Sequence, residues 1–168
     1  DFREDVGVAI SLLSEHVLLV VDCVEGVQVE TEASLRTALN LNKTVTLVLT
    51  KMERLWLELK LPPMDAYFKL KHTIDRLNTI SGSCIFAPEK GNVLFASAVG
   101  GFAFSLLSFV QLKYPQIQDH LALSRRLWGD CFYSEDTGKF TANPQESAPK
   151  RSFVTFILEP LYKLYTQV

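Results

Sequence analysis

No apolar run in this sequence is long enough to cross a bilayer: the longest, residues 17–21 and 45–49, are short and built from valine, leucine and threonine, as buried strands are. Charge of one sign is equally scarce. Seventeen basic residues stand against nineteen acidic ones, a net charge of −2, with no like-charge run beyond a few residues, so neither a membrane surface nor direct RNA contact is indicated. Cysteine is sparse, and Cys23, Cys84 and Cys131 are an odd number, far apart and without metal-ligand spacing; they read as packing residues in a reducing cytosolic or nuclear setting. His16, His72 and His120 have no partnered cysteine or carboxylate pattern and read as core or surface residues. Asp1 is not an initiator methionine, no targeting peptide is visible, and the last helical pattern runs to the final residue, so both ends are expected to be cuts in a longer chain.

What the sequence does hold is apolar surface. Its 168 residues, 48% apolar, suffice for one core, as one domain or one domain with part of another. Val6, Ile10 and Leu13 recur at helical spacing over 3–13 and lead into the apolar run 16–22, a helix feeding a buried strand. A Gly26 turn precedes a helix with Leu35 and Leu39 inward, and a β-branched run over 44–49 ends at Thr50 and Lys51. Strand, helix, strand at this spacing is a parallel crossover unit. Pro62 and Pro63 can open a helix but not sit inside one; Tyr67, Leu70, Ile74 and Leu77 then repeat every three or four residues until Gly82, predicting about four turns. Residues 93–97 predict a third strand. After Gly100 and Gly101 an apolar helix is expected from Phe102 to about Tyr114, with Phe102, Phe104 and Phe109 as helix packing rather than a base-stacking platform. Past Pro115 the pattern gives a helix over 117–127, then Trp128, Phe132 and Tyr133 as core or partner surface, and a hairpin around Asp136, Thr137 and Gly138. A polar loop over 143–150 and an amphipathic helix over 152–167, kinked or restarted at Pro160, complete the chain.

In an open parallel sheet, ligands sit at the carboxyl ends of the strands, which brings Asp22, residues 50–53 and residues 97–99 to one edge. Thr50, Lys51, Met52 and Glu53 resemble the N-K-x-D base-recognition motif of GTPases, with Thr for Asn and Glu for Asp. In that motif the acid accepts two hydrogen bonds from guanine N1 and N2 while the lysine stem lies over the purine ring. Glu53 is one methylene longer than Asp and must retract to present the same fork. A solvated strand-end loop is the plain alternative. Phe95-Ala96-Ser97-Ala98-Val99 resembles the second base-binding loop, where small residues let a backbone N–H approach guanine O6; Ser97 and Ala98 are the candidates. The phosphate side is missing: there is no G-x-x-x-x-G-K-[ST], and the pair Gly138-Lys139 is followed by Phe140. No D-x-x-G follows a first strand. Without these groups, and without Mg²⁺ ligands, the chain by itself is not expected to hydrolyse GTP. Asp22 ends a strand and is expected to cap the next turn.

Together with these loops, RLWGD (126–130) and GKF (138–140) resemble the K-L-W-G-D…G-K-F run of the elongation-factor-2 family of translational GTPases, and residues 153–164 resemble its following helix. Residues 2–6 resemble the segment just after that family's D-T-P-G-H motif, which would put the catalytic histidine about two positions before Asp1. LELKLPPMDAYFKLKH (57–72), with Gly91, Asn92 and Val93, resembles one branch, the GTPases of the spliceosomal U5 small nuclear ribonucleoprotein. The resemblance implies an α/β fold: part of a P-loop GTPase domain, a parallel sheet with flanking helices, plus part of an inserted α+β subdomain. Residues 1–114 would be the base-recognition half of the GTP-binding domain and 115–168 part of the inserted G-prime-like subdomain. It further implies GTP or GDP with Mg²⁺ in the parent protein, guanine contacts from Thr50, Lys51, Glu53, Ser97 and Ala98, and no catalytic or metal-binding residue in this stretch. The implied setting is nuclear, in the U5 particle, with a large scaffold protein and a spliceosomal helicase as partners. Elongation factor 2 or a ribosome-assembly GTPase, and a module of the same fold that binds no nucleotide, are the alternatives.

Overall fold

The computed structural model of the chain describes residues 7, 14–82, 86–134, 138–142 and 150–166. Outside them lie the expected first helix apart from Gly7, Cys84, residues 135–137 of the hairpin and residues 143–149 of the polar loop. Strands β1 (His16–Asp22), β2 (Thr44–Thr50) and β3 (Val93–Ser97) run parallel in that order, and β4 (Phe102–Phe104) closes the far side antiparallel to β3. Helix α1 (Val29–Asn40) makes the first crossover. A short turn of helix, α2 (Arg54–Leu57), and the long α3 (Pro63–Ser81) make the second.

The α/β layering with a parallel sheet is the one the sequence implies. Pro62 is the N-cap of α3 and Pro63 its first residue, where a missing N–H costs nothing. Ala66, Tyr67, Leu70, Thr73, Ile74 and Leu77 form the buried stripe, and Gly82 ends the helix in the left-handed region at φ 70°, which a side chain would strain. At nineteen residues the helix is a turn longer than expected, because the apolar repeat continues behind Pro63 without a break. Each fully buried aliphatic or aromatic side chain contributes about 1.5–3 kcal/mol, and this stripe packs with the inward residues Leu47, Leu49, Val93 and Phe95 in one core.

Two expectations need correction. Residues 102–104 are a strand rather than the start of a helix: Phe102, Ala103 and Phe104 pair with Ser97, Ala96 and Phe95 across the Gly100-Gly101 turn. Helix α4 (Leu106–Lys113) begins only after Ser105, whose hydroxyl accepts from Ser108 N at 3.2 Å while the Ser108 hydroxyl accepts from Ser105 N at 2.9 Å. Phe102 and Phe104 therefore lie on one strand face rather than along a helix, with ring centroids 5.8 Å apart. The apolar run of β1 reads in the sequence as a buried strand. Leu19 and Val21 are buried, but Leu18 is 64% and Val20 60% exposed, so among the described residues β1 is covered on one face only.

Helix α5 (His120–Arg125) is shorter than the expected 117–127, because Asp119 caps it by accepting from Ala122 N at 2.8 Å. Strands β5 (Phe132–Ser134) and β6 (Lys139–Thr141) form the expected hairpin. The last helical stretch opens at Ser152, widens to a π-turn over Val154–Leu158 and continues as α6 (Glu159–Thr166). The wide turn makes room for Pro160, whose ring would clash with a carbonyl one turn back. Trp128 is half-buried and packs against the core: its ring centroid lies 4.9 Å from those of Tyr67 and Phe153, joining this part of the chain to the sheet through Phe95.

Candidate base-recognition site

The carboxyl ends of β1, β2 and β3 meet at one edge because the strands are parallel and in register, Asp22 opposite Thr50 and Leu49 opposite Phe95. The ladder continues past the strands. Cys23 N donates to Thr50 O at 3.0 Å, and Met52 N donates to Ala96 O at 3.1 Å, so each loop is stitched to the next strand's end. Thr50, Lys51, Glu53, Ser97 and Ala98 thus share one edge.

Within the first loop, Lys51 adopts φ 58°, a left-handed conformation uncommon for a residue with a side chain and found preferentially at functional turns. Its ammonium reaches across to β1 and lies 2.9 Å from Asp22 Oδ2. Met52 is fully buried and receives the Cys23 thiol at 3.6 Å. Glu53 is only 7% exposed, and its Oε2 is covered and has no hydrogen-bond partner among the described residues. Burial and the charges of Asp22 and Glu53 push the Cys23 thiol well above its usual range. A covered carboxylate oxygen without a donor is costly, on the order of 1–3 kcal/mol or more. Directly after the motif, Arg54 bonds the same Asp22 oxygen at 2.7 Å and also pairs with Glu58 and Glu25.

Asp22 does cap the next turn, through Oδ1, which accepts from Val24 N at 2.8 Å and Glu25 N at 3.3 Å. Burial alone would raise its carboxyl, but the hydrogen bonds from Lys51, from the Val24 and Glu25 backbone and from Arg54 outweigh it and hold the pKa at about 2. The ion-paired half of Asp22 and the part played by Arg54 were missed from sequence. The strand register that puts Asp22 opposite Thr50 was the signal that could have found them.

In the second loop Ser97 is buried, and its hydroxyl accepts from Gly100 N at 2.8 Å, folding the backbone of the turn tightly. Ala98 is exposed beside it. Helix α6 reaches the second loop and the short helix that follows the first: Tyr165 stacks on Trp56 of α2 at 5.9 Å and donates its hydroxyl to Gly100 O at 2.7 Å. Among the described residues, no group of three His, Cys, Asp or Glu side chains could hold a metal. No helix among them is long and apolar enough to cross a membrane.

Comparison with known proteins decides the family: residues 1–122 match the elongation factor Tu GTP binding domain. The chain belongs to that family. It is 42% identical over 93% of its length to the 110 kDa U5 small nuclear ribonucleoprotein component CLO of Arabidopsis thaliana, of which the match spans 17%. It is 43% identical over 99% of its length to the pre-mRNA-splicing factor cwf10 of Schizosaccharomyces pombe, spanning 18% of that protein. The pre-mRNA-splicing factor SNU114 of Saccharomyces cerevisiae is 38% identical, again over 99% of this chain and 17% of its own. The chain therefore spans less than a fifth of these relatives' length.

Proposed function

We propose that this GTP-binding-domain segment is the guanine-recognition part of a U5 small nuclear ribonucleoprotein GTPase acting in pre-mRNA splicing, with Thr50, Lys51, Glu53, Ser97 and Ala98 as its base-contacting residues. The observation that carries the base reading is the first loop: a left-handed lysine beside a covered carboxylate that lacks a donor, at the carboxyl edge of a parallel sheet. Guanine N1 and N2 are two adjacent donors of the kind that a carboxylate fork accepts. A site built to hydrogen-bond its ligand rejects one that lacks the matching groups by on the order of 10⁴-fold, far more than an apolar pocket achieves. Residues 1–114 would supply this half-site and 115–168 part of an inserted subdomain. The phosphates and Mg²⁺ of GTP or GDP would be held by groups outside this sequence, so these residues bind and orient the base and perform no hydrolysis. In the nucleus, the parent protein would work in the U5 particle with its large scaffold protein and a helicase. Its nucleotide would stabilise a regulated scaffold rather than feed fast turnover.

Two measurements test the proposal. Titration of the full-length protein with GTP and ATP should show a preference for GTP, and Glu53→Asp should raise it about tenfold by restoring the shorter fork. Equal, high selectivity in both proteins would remove any significance from Glu53, and no binding of either nucleotide would favour a module that binds none. Affinity purification of the tagged full-length protein should recover U5 small nuclear RNA; recovery of ribosomal RNA in its place would overturn the spliceosomal reading.

A further inference from the structure

Asp22 makes more contacts than a turn cap requires. One oxygen, Oδ1, accepts from Val24 N and Glu25 N and closes the turn after β1. The other, Oδ2, lies 2.7 Å from Arg54 Nη1 and 2.9 Å from Lys51 Nζ, so two cations from the next loop converge on a single oxygen. The Asp22 side chain is 13% exposed and already fixed by the turn and by Arg54, which is itself held by Glu58 and Glu25. Lys51 differs from all of these: its side chain is 55% exposed. An exposed lysine pair gains little stability, because holding a long side chain in one geometry costs rotamer entropy. The φ of 58° at Lys51 adds a backbone cost. Neither cost is explained by stability of the fold alone. What the pair does achieve is geometric. Anchored at both ends, the four-carbon stem of Lys51 bridges from the end of β2 to the end of β1, across the crevice where the strands terminate.

We propose that Asp22 is a positioning residue for base recognition: its Oδ2, buttressed by Arg54, holds the Lys51 ammonium so that the lysine stem is set in advance as a platform for the purine ring. The inference rests on the guanine reading above and deepens it. A stem fixed before binding spares the nucleotide the ordering cost of one rotamer-rich side chain, and the benefit falls chiefly on the rate of release.

The test uses the full-length protein and a fluorescent GDP analogue, with dissociation followed by chase with unlabelled GDP. Asp22→Asn keeps an acceptor for Val24 N but removes the charge facing Lys51; it should speed release about tenfold. Lys51→Met keeps an apolar stem without the ammonium and should speed release by a similar factor. Combined, the two substitutions should do little more than either alone, because both break the same contact. A residue that merely shaped the turn would instead give effects that multiply, to about a hundredfold in the double variant, and that result overturns the proposal. Unchanged release in Asp22→Asn overturns it too. If circular dichroism shows Asp22→Asn unfolded, Lys51→Met decides, and release at the wild-type rate in that variant overturns the assignment. A wild-type protein that binds no guanine nucleotide overturns the guanine reading and this inference together, whereas tight binding that ignores both substitutions overturns this inference alone.

Discussion

The two loops of the candidate site sit side by side on neighbouring strand ends but are held by different physics. Residues 50–54 are held by charge: Lys51 and Arg54 meet on Asp22, and Arg54 pairs onward with Glu58 and Glu25, much of it in partial contact with water. Residues 97–101 are held by close packing: the Ser97 hydroxyl is buried against Gly100 N, the Phe102 ring closes on the same glycine, and Tyr165 takes Gly100 O. A loop fixed by charges is loosened when salt or acid weakens them. A loop fixed by contact at van der Waals distance cannot move without breaking something. The division fits the chemistry proposed for each: the first loop offers a lysine and a carboxylate to the base, the second a stretch of backbone whose position is its whole contribution.

The largest effect is expected where packing is tightest. A Cβ added at Gly100 would lie 2.8 Å from Phe102 Cε1 and 2.9 Å from Ser97 Oγ, closer than any real side chain approaches. The ring cannot swing away freely, since Phe102 packs against Phe104 and Tyr165, and Ser97 Oγ cannot retreat without losing its bond to Gly100 N. Gly100→Val should therefore cost about 2–3 kcal/mol, read as a lower denaturant midpoint at unchanged slope. The cost should be the same in low and high salt. A strong salt dependence of the loss would show that charge reaches the second loop as well, and would break the contrast.

How far this division could be read from the sequence depends on which kind of contact is involved. The strand ends and both loops were legible, because valine- and leucine-rich runs separated by helical spacing admit few topologies besides a parallel crossover. The strand Phe102–Phe104 was not, since three residues after a Gly-Gly turn look alike as the first turn of a helix or as a short strand. Ser105 with Ser108 marked the true start of α4, but a serine at the third position is a weaker cue than the glutamate of the usual capping box. The face of β1 that carries Leu18 and Val20 was misjudged for a related reason: composition reports that a strand is apolar, and only the surrounding elements decide how many of its faces are covered. The meeting of Lys51 and Arg54 on Asp22 is tertiary altogether, joining residues about thirty positions apart; the motif Thr50-Lys51-Met52-Glu53 was visible, its anchor was not.

The smallest effect belongs to the charged loop and should appear only in acid. The Asp22 carboxyl titrates at about 2 in the folded chain, below its ordinary value of 3.8, so the native state binds that proton less readily than the unfolded one. The sign follows: the contribution of Asp22 to stability is fully present above about pH 4 and is lost as the pH falls toward 2. Comparing wild type with Asp22→Asn by chemical denaturation isolates it, because other acid-sensitive pairs such as Asp130 with Arg151 are common to both proteins. The stability gap between the two should shrink by on the order of 1 kcal/mol from pH 5 to pH 2, less than the shift alone would give because the exposed lysine leaves the pair partly screened by solvent. Salt at about 1 M should narrow the same gap at neutral pH. A gap that stays constant with both pH and salt would mean that Asp22 acts through its turn-capping oxygen alone, and the first loop would then be held, like the second, by neutral hydrogen bonds and packing.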